Sequence, residues 1–147
     1  MLRRSWRRKP AQSEKPSPGP ESVASLSPTE FEHLISRIYK RRGYAARVTS
    51  ATRDGGIDVI AIRDLATGRE KLAIQCKHQR EPVGRPDLQK LLGVISADPS
   101  YTGGVLVTSA RFSGDAHEFA SQNGRLQLID HNSLALLLVQ YRIPLRE

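Results

Sequence analysis

The sequence predicts an α/β domain, a mixed β-sheet flanked by helices, with its elements in the order α-β-β-β-α-β-α-β-α. Three observations carry this reading. Apolar residues recur at helical spacing in four segments. Short runs of strand-forming residues lie between them. The first three strands follow one another directly, whereas the later ones alternate with helices, so an antiparallel hairpin should run on into βαβ units. The chain has 147 residues, enough for one domain with a real core and too few for two.

The globular part is expected over residues 26–147, opening at Ser27-Pro28-Thr29-Glu30. Serine at the N-cap, proline in the first turn and glutamate three residues on form a capping box. Phe31, Leu34, Ile35, Ile38 and Tyr39 make the apolar stripe of this helix, and Gly43 ends it. A strand follows near 45–49. The turn Asp54-Gly55-Gly56 then leads into a strand over 57–62, a second turn over 64–68 and a returning strand over 71–77. Helix two begins near Pro86, with Leu88, Leu91, Leu92 and Ile95 on one face. Residues 103–108 form a buried strand, 113–123 a helix closed by Gly124, and 126–129 a strand. Asn132 is expected to cap a last helix through Tyr141.

Residues 1–25 read differently. Four prolines, several serines and an arginine cluster leave little to bury, which predicts a disordered basic tail. The prolines spoil an amphipathic transit helix, and no apolar stretch makes a secretory signal. The tail carries +4, and residues 26–147 another +4, within a net charge of +8. Two basic parts suit a polyanion such as nucleic acid, although basic tails also occur as linkers. The tail is expected to add phosphate contacts without sequence preference. The longest apolar run near the C-terminus, Leu134 to Val139, is too short to span a bilayer. A single cysteine, Cys76, excludes an internal disulfide and a thiolate zinc site, and fits a reducing, cytoplasmic compartment.

The residues that can carry chemistry lie on the hairpin. Side chains alternate along a strand, so Leu72, Ile74 and Cys76 share one face, and Gln75 and Lys77 the other. In the preceding strand Ile57, Val59 and Ala61 share a face, and Asp58 takes the opposite one. A turn centred on Ala66–Thr67 sets Asp58 across from Gln75 and Lys77. A carboxylate, an amide and an ammonium then meet at one end of the hairpin. Spacing alone fits an Asp58–Lys77 ion pair on a solvated sheet face more readily than a site, because such pairs are common. The alternative is a divalent cation held by oxygen ligands beside a lysine, a set suited to phosphodiester hydrolysis. Arg85, Gln89 and Lys90 open helix two and could touch phosphates or simply face solvent. His78 faces away from the Lys77 side, and Ser113 reads as a helix N-cap.

Several short stretches, in order, resemble a known family. They are Asp54-Gly55-Gly56-Ile57-Asp58-Val59-Ile60, Gln75-Cys76-Lys77, Gly103-Gly104-Val105-Leu106-Val107-Thr108, Phe112-Ser113 with Ala116, and Leu128-Ile129-Asp130 with Leu134. Phe31, Glu32, Leu34, Gly43 and Tyr44 precede them. Together they resemble the Mrr-type catalytic domain of the PD-(D/E)XK nuclease superfamily, over residues 27–141. The resemblance implies a restriction endonuclease-like fold and a Mg²⁺-dependent endodeoxyribonuclease acting on double-stranded DNA, of the type IV restriction kind, with Mn²⁺ as the other candidate ion. It implies Asp58 as metal ligand, Gln75 where many members have an acid, Lys77 as catalytic lysine, and the Cys76 main-chain carbonyl in the metal shell. Glu32 matches an acid that often assists the metal. A first-turn glutamate, as Glu32 is expected to be, also favours the dipole without any site. The same fold could serve as an inactive DNA-binding module, a reading that the neutral Gln75 feeds, or as a repair nuclease for branched DNA. Cutting both strands takes two sites, which a homodimer would supply.

Overall fold

The computed structural model describes residues 23–50 and 56–146. The expected tail over 1–25 lies outside them up to residue 22, as do Asp54 and Gly55 of the expected turn. The elements are α1 (Pro28–Arg41), β1 (Ala45–Val48), β2 (Val59–Leu65), β3 (Gly68–Lys77), α2 (Arg85–Ala97), β4 (Gly103–Thr108), α3 (Gly114–Ser121), β5 (Leu126–Ile129) and α4 (His131–Gln140). Type and order agree with the sequence reading.

The five strands form one sheet in the order β1-β2-β3-β4-β5. β1 and β2, and β2 and β3, run antiparallel; β3, β4 and β5 run parallel. Each face of the sheet carries its own apolar layer. Phe31, Leu34, Ile35 and Ile38 of α1, with Leu134 and Leu138 of α4, cover Val59, Ala61, Ile74, Val105 and Val107. Leu88, Leu91 and Ile95 of α2, with Ala116 of α3, cover Ile60, Ala73 and Leu106. β4 is buried along its whole length, as a central strand covered on both faces must be. Gly104 lets α2 approach closely, since a Cβ there would lie 3.1 Å from the Leu91 side chain.

Local chemistry explains the helix ends. Glu30 N–H donates to Ser27 Oγ and Ser27 N–H to Glu30 Oε1, completing the expected capping box. Ser113 Oγ accepts from Ala116 N–H and caps α3. Two ends depart from expectation. α4 is capped by Asp130, whose carboxylate accepts from Ser133 N–H at 2.9 Å, not by Asn132. A carboxylate at the N-cap suits the positive end of a helix better than an amide. α3 stops at Ser121, and Gly124 is absent from the positive-φ positions, so no left-handed glycine closes it. The core also reaches back to Val23, which is buried with Leu26 against α1, inside the stretch expected to be tail. Among the described residues, no helix is long and apolar enough to cross a membrane.

Candidate active site

The β2–β3 hairpin turns at Ala66–Thr67, as expected, with Leu65 paired to Gly68 and Val59 to Ile74. β2 starts at Val59, two residues later than the sequence suggests. The cause lies at Asp58. Its N–H donates to the carbonyl of Ile74, which is also the partner of Val59. Two residues therefore face one, the arrangement of a β-bulge. Alternation fails across it. Ile57 packs with Ile60 in the α2 layer and not, as expected, with Val59 and Ala61.

The bulge holds Asp58 between two strands. Thr49 N–H donates to its main-chain carbonyl at 2.9 Å. Its carboxylate accepts from Cys76 N–H at 2.7 Å, on the main chain between Gln75 and Lys77. Asp58 is only 9% exposed, and this burial pushes its carboxyl above the ordinary value. The Cys76 N–H, a bond with Glu32 and the Lys77 charge act in the other direction. Glu32 comes from α1, beside the apolar stripe. It lies beyond the first turn, whose acid is Glu30, so a dipole contact does not account for it. Its carboxyl is pushed up too, first by desolvation and then by the charge and hydrogen bond of Asp58. Two neighbouring carboxyls thus resist ionising together.

Gln75 follows in β3. Its side chain makes no hydrogen bond among the described residues, and its amide lies against Gly56, where a Cβ would come within 3.2 Å of Nε2. Gly56 has φ +88°, so both its backbone and the nearby amide disfavour a side chain there. The Cys76 side chain turns toward the α1 layer, where desolvation pushes the thiol well up. Lys77 does not form the ion pair with Asp58 that spacing favours. Its ammonium pairs with Asp87 at 3.4 Å, both side chains being about one-third exposed. Asp87 lies in the first turn of α2, whose N-cap, Gly84, offers no side-chain bond. Sequence reasoning passed over Asp87. An acid ten residues beyond Lys77, in a helix start without a capping side chain, was the available signal.

The remaining candidates separate clearly. His78 stacks on Phe31 with ring centroids 4.8 Å apart, and its Nε2 bonds the Leu26 carbonyl at 2.7 Å, so it faces away from Lys77 as expected. Arg85 pairs with Asp115 at 3.6 Å and lies over the Phe119 ring, while Gln89 and Lys90 are exposed. Among the described residues no group of three or more His, Cys, Asp or Glu side chains could hold a metal ion. The donors at hand are two carboxyls that resist ionisation and an amide with no hydrogen bond. A hard divalent cation, which takes carboxylate, amide and carbonyl oxygens together with water, fits that set.

The chain is similar to several known proteins. A family model described as restriction endonuclease, of the Mrr catalytic type, matches residues 23–138. The chain is 31% identical over 129 residues to the type IV methyl-directed restriction enzyme EcoKMrr of Escherichia coli (strain K12), covering 84% of this chain and 41% of that protein. It is 30% identical over 104 residues to the uncharacterized protein y4cE of Sinorhizobium fredii (strain NBRC 101917 / NGR234), covering 67% of this chain and 26% of that one. It therefore spans well under half of these relatives. Among solved structures, the DNA modification-dependent restriction endonuclease AspBHI superposes with a TM-score of 0.68 at 19% identity, over 97% of this chain and 39% of its own. The MspJI restriction endonuclease, solved in complex with a 27-mer oligonucleotide, gives 0.62 at 20% identity, over 90% and 35%. At those identities the two structures speak for the fold.

Proposed function

Because this chain belongs to the Mrr-type restriction endonuclease catalytic family, we propose that it is a Mg²⁺-dependent endonuclease that hydrolyses phosphodiester bonds of double-stranded DNA, in the manner of type IV restriction. One observation carries the reading. Asp58 and Glu32 face each other at the end of the hairpin, both held above their ordinary pKa, beside the Lys77 ammonium. Perturbed carboxyls with a specific partner are a mark of functional sites.

In this reading Asp58, Glu32, the Gln75 amide oxygen and the Cys76 main-chain carbonyl would hold the ion. When bound, it supplies charge neutralisation at the phosphate and a more acidic water. The protein's own groups do the rest. The Cys76 N–H orients the Asp58 carboxylate. Lys77 offers positive charge to the phosphate oxygens as negative charge builds on them. Asp87 holds the Lys77 ammonium at the start of α2. Mn²⁺ has the same preference for oxygen donors and would serve in place of Mg²⁺. Two copies of the chain would let both strands be cut.

A second reading, an inactive DNA-binding module, rests on Gln75. A neutral amide leaves the site one negative charge short of a third carboxylate. Plasmid nicking with and without Mg²⁺, for wild type and Lys77→Ala, decides between them. Cleavage that needs the metal and falls about 10²–10³-fold in Lys77→Ala is expected. Plasmid bound but never nicked, with either ion, would establish the module.

A further inference from the structure

The three parallel strands β3, β4 and β5 end at Lys77, Thr108 and Ile129, all at the same edge of the sheet as the site. Loops and helix N-termini gather beyond the carboxyl ends of parallel strands, which is where open α/β sheets take their ligands. Two of these loops, 78–84 and 109–113, are tied into a single ridge. Val83 and Phe112 pair as a parallel bridge. Val83 N–H donates to the Arg111 carbonyl at 2.8 Å, and Ser113 N–H to the Val83 carbonyl at 2.9 Å. Gln79 N–H donates to Ser109 Oγ at 3.1 Å. His131 N–H reaches the Ala110 carbonyl from the start of α4 at 3.0 Å.

The ridge carries Arg80, three residues past Lys77, and Arg111, three residues past Thr108. Both are exposed. Neither guanidinium makes an ion pair or a hydrogen bond among the described residues, and the exposed Glu81 beside Arg80 pairs with neither. Several other arginines are engaged. Arg63, Arg69, Arg85 and Arg146 each hold a carboxylate. Arg125 is bonded to two main-chain carbonyls. Arg41, Arg47 and Arg142 are likewise exposed and unpaired among the described residues, but they lie at the end of α1, on the edge strand β1 and after α4. Arg80 and Arg111 are the two on the ridge, whose backbone is already hydrogen-bonded and needs little further ordering. A guanidinium is weakly hydrated and matches a phosphate with two parallel N–H donors.

We propose that Arg80 and Arg111 are a preorganised phosphate-contact pair that binds the backbone of duplex DNA flanking the site. This inference rests on the nuclease reading and sets the phosphate contact on the ridge, not on Arg85, which Asp115 already engages.

The test is the salt dependence of binding by the full chain to a labelled duplex, measured by anisotropy in EDTA so that no cleavage intervenes. Each neutralised phosphate contributes about 0.9 to the slope of log K against log salt. Arg80→Ala and Arg111→Ala should each lower the slope by about that amount, and the pair by about 1.8. Arg80→Lys with Arg111→Lys should keep the slope, which separates charge from any effect on the fold. Lys40→Ala with Arg41→Ala, at the far end of α1, should change it little. If wild type binds and the double alanine variant keeps the wild-type slope, or the Lys40 and Arg41 control loses as much, the ridge assignment is overturned while the nuclease reading stands. If wild type does not bind duplex DNA, both fall together.

Discussion

The two ends of the β2–β3 hairpin use charge in opposite ways. At the turn, opposite charges meet. Arg63 holds Glu70 at 2.8 Å and Arg69 holds Asp64 at 2.9 Å, and the Arg69 guanidinium keeps the Asp64 carboxyl below its ordinary value. Tyr44 adds a hydroxyl to Glu70. At the other end, burial pushes both the Asp58 and the Glu32 carboxyls up, and the neighbouring Asp58 charge pushes Glu32 further. The same pair of strands thus runs from an end that is electrostatically at rest to an end that is not. Ion pairs at the turn help fix register, and register decides what the far end can gather. Groups kept uncomfortable in the folded state are the ones a ligand can relieve.

The difference can be broken most strongly at Gln75. Gln75→Glu adds the third carboxylate and should lower the Mg²⁺ concentration needed for nicking, whereas Gln75→Ala should raise it, each by about 10-fold or more. A Mg²⁺ titration of all three proteins reads the shift, and identical curves would remove Gln75 from the site. Asp87→Asn leaves Lys77 without its ion pair. A partly exposed pair is worth at most about 1 kcal/mol, so the expected loss in cleavage rate is no more than about 5-fold. The loss should appear at saturating DNA, and Asp87→Glu should restore it.

Stability should respond next. The folded pKa values of Asp58 and Glu32 lie above their ordinary values of 3.8 and 4.5. Between the ordinary and the raised values the folded chain binds more protons than the unfolded one, so their contribution falls as pH rises. In EDTA at neutral pH, Asp58→Asn, which keeps an acceptor for Cys76 N–H, should melt above wild type. That advantage should shrink as pH falls through the raised values and vanish below the ordinary ones. Melting curves for wild type and variant across pH 3–8 test the sign. An advantage that grows on acidification would show that the carboxyl is stabilised, not strained. The smallest effect is expected at the turn end. Arg69→Ala removes a well-exposed pair and should leave nicking unchanged with only a slight loss of melting temperature.

How much of this was legible depended on the range of the interaction. The Ser27–Glu30 box spans three residues and could be read directly, as could the Ala66–Thr67 turn that sets the register. Asp58, Gln75 and Lys77 could be placed at one end of the hairpin because alternation and a turn suffice for that. The bulge at Asp58 could not, since it depends on two main-chain N–H and C=O groups meeting across the ladder. Ile57 changed layer with it. The pairing of Lys77 with Asp87 escaped for a different reason: it depends on where α2 returns to the sheet, which no local pattern states. Val23 was hidden by its neighbours, because a lone valine at the end of a proline-rich stretch shows no period.

Gly56 and Gln75 have a consequence for how this region can vary. A Cβ at 56 would lie 3.2 Å from the amide nitrogen at 75, close enough that one must give way to the other. Among relatives that keep this loop path, a side chain gained at 56 should go with a shorter one at 75. Asparagine or aspartate should be the tolerated gain, because those residues accept the left-handed backbone with least strain. The two positions, nineteen apart in the chain, would then covary as a pair and drift as one.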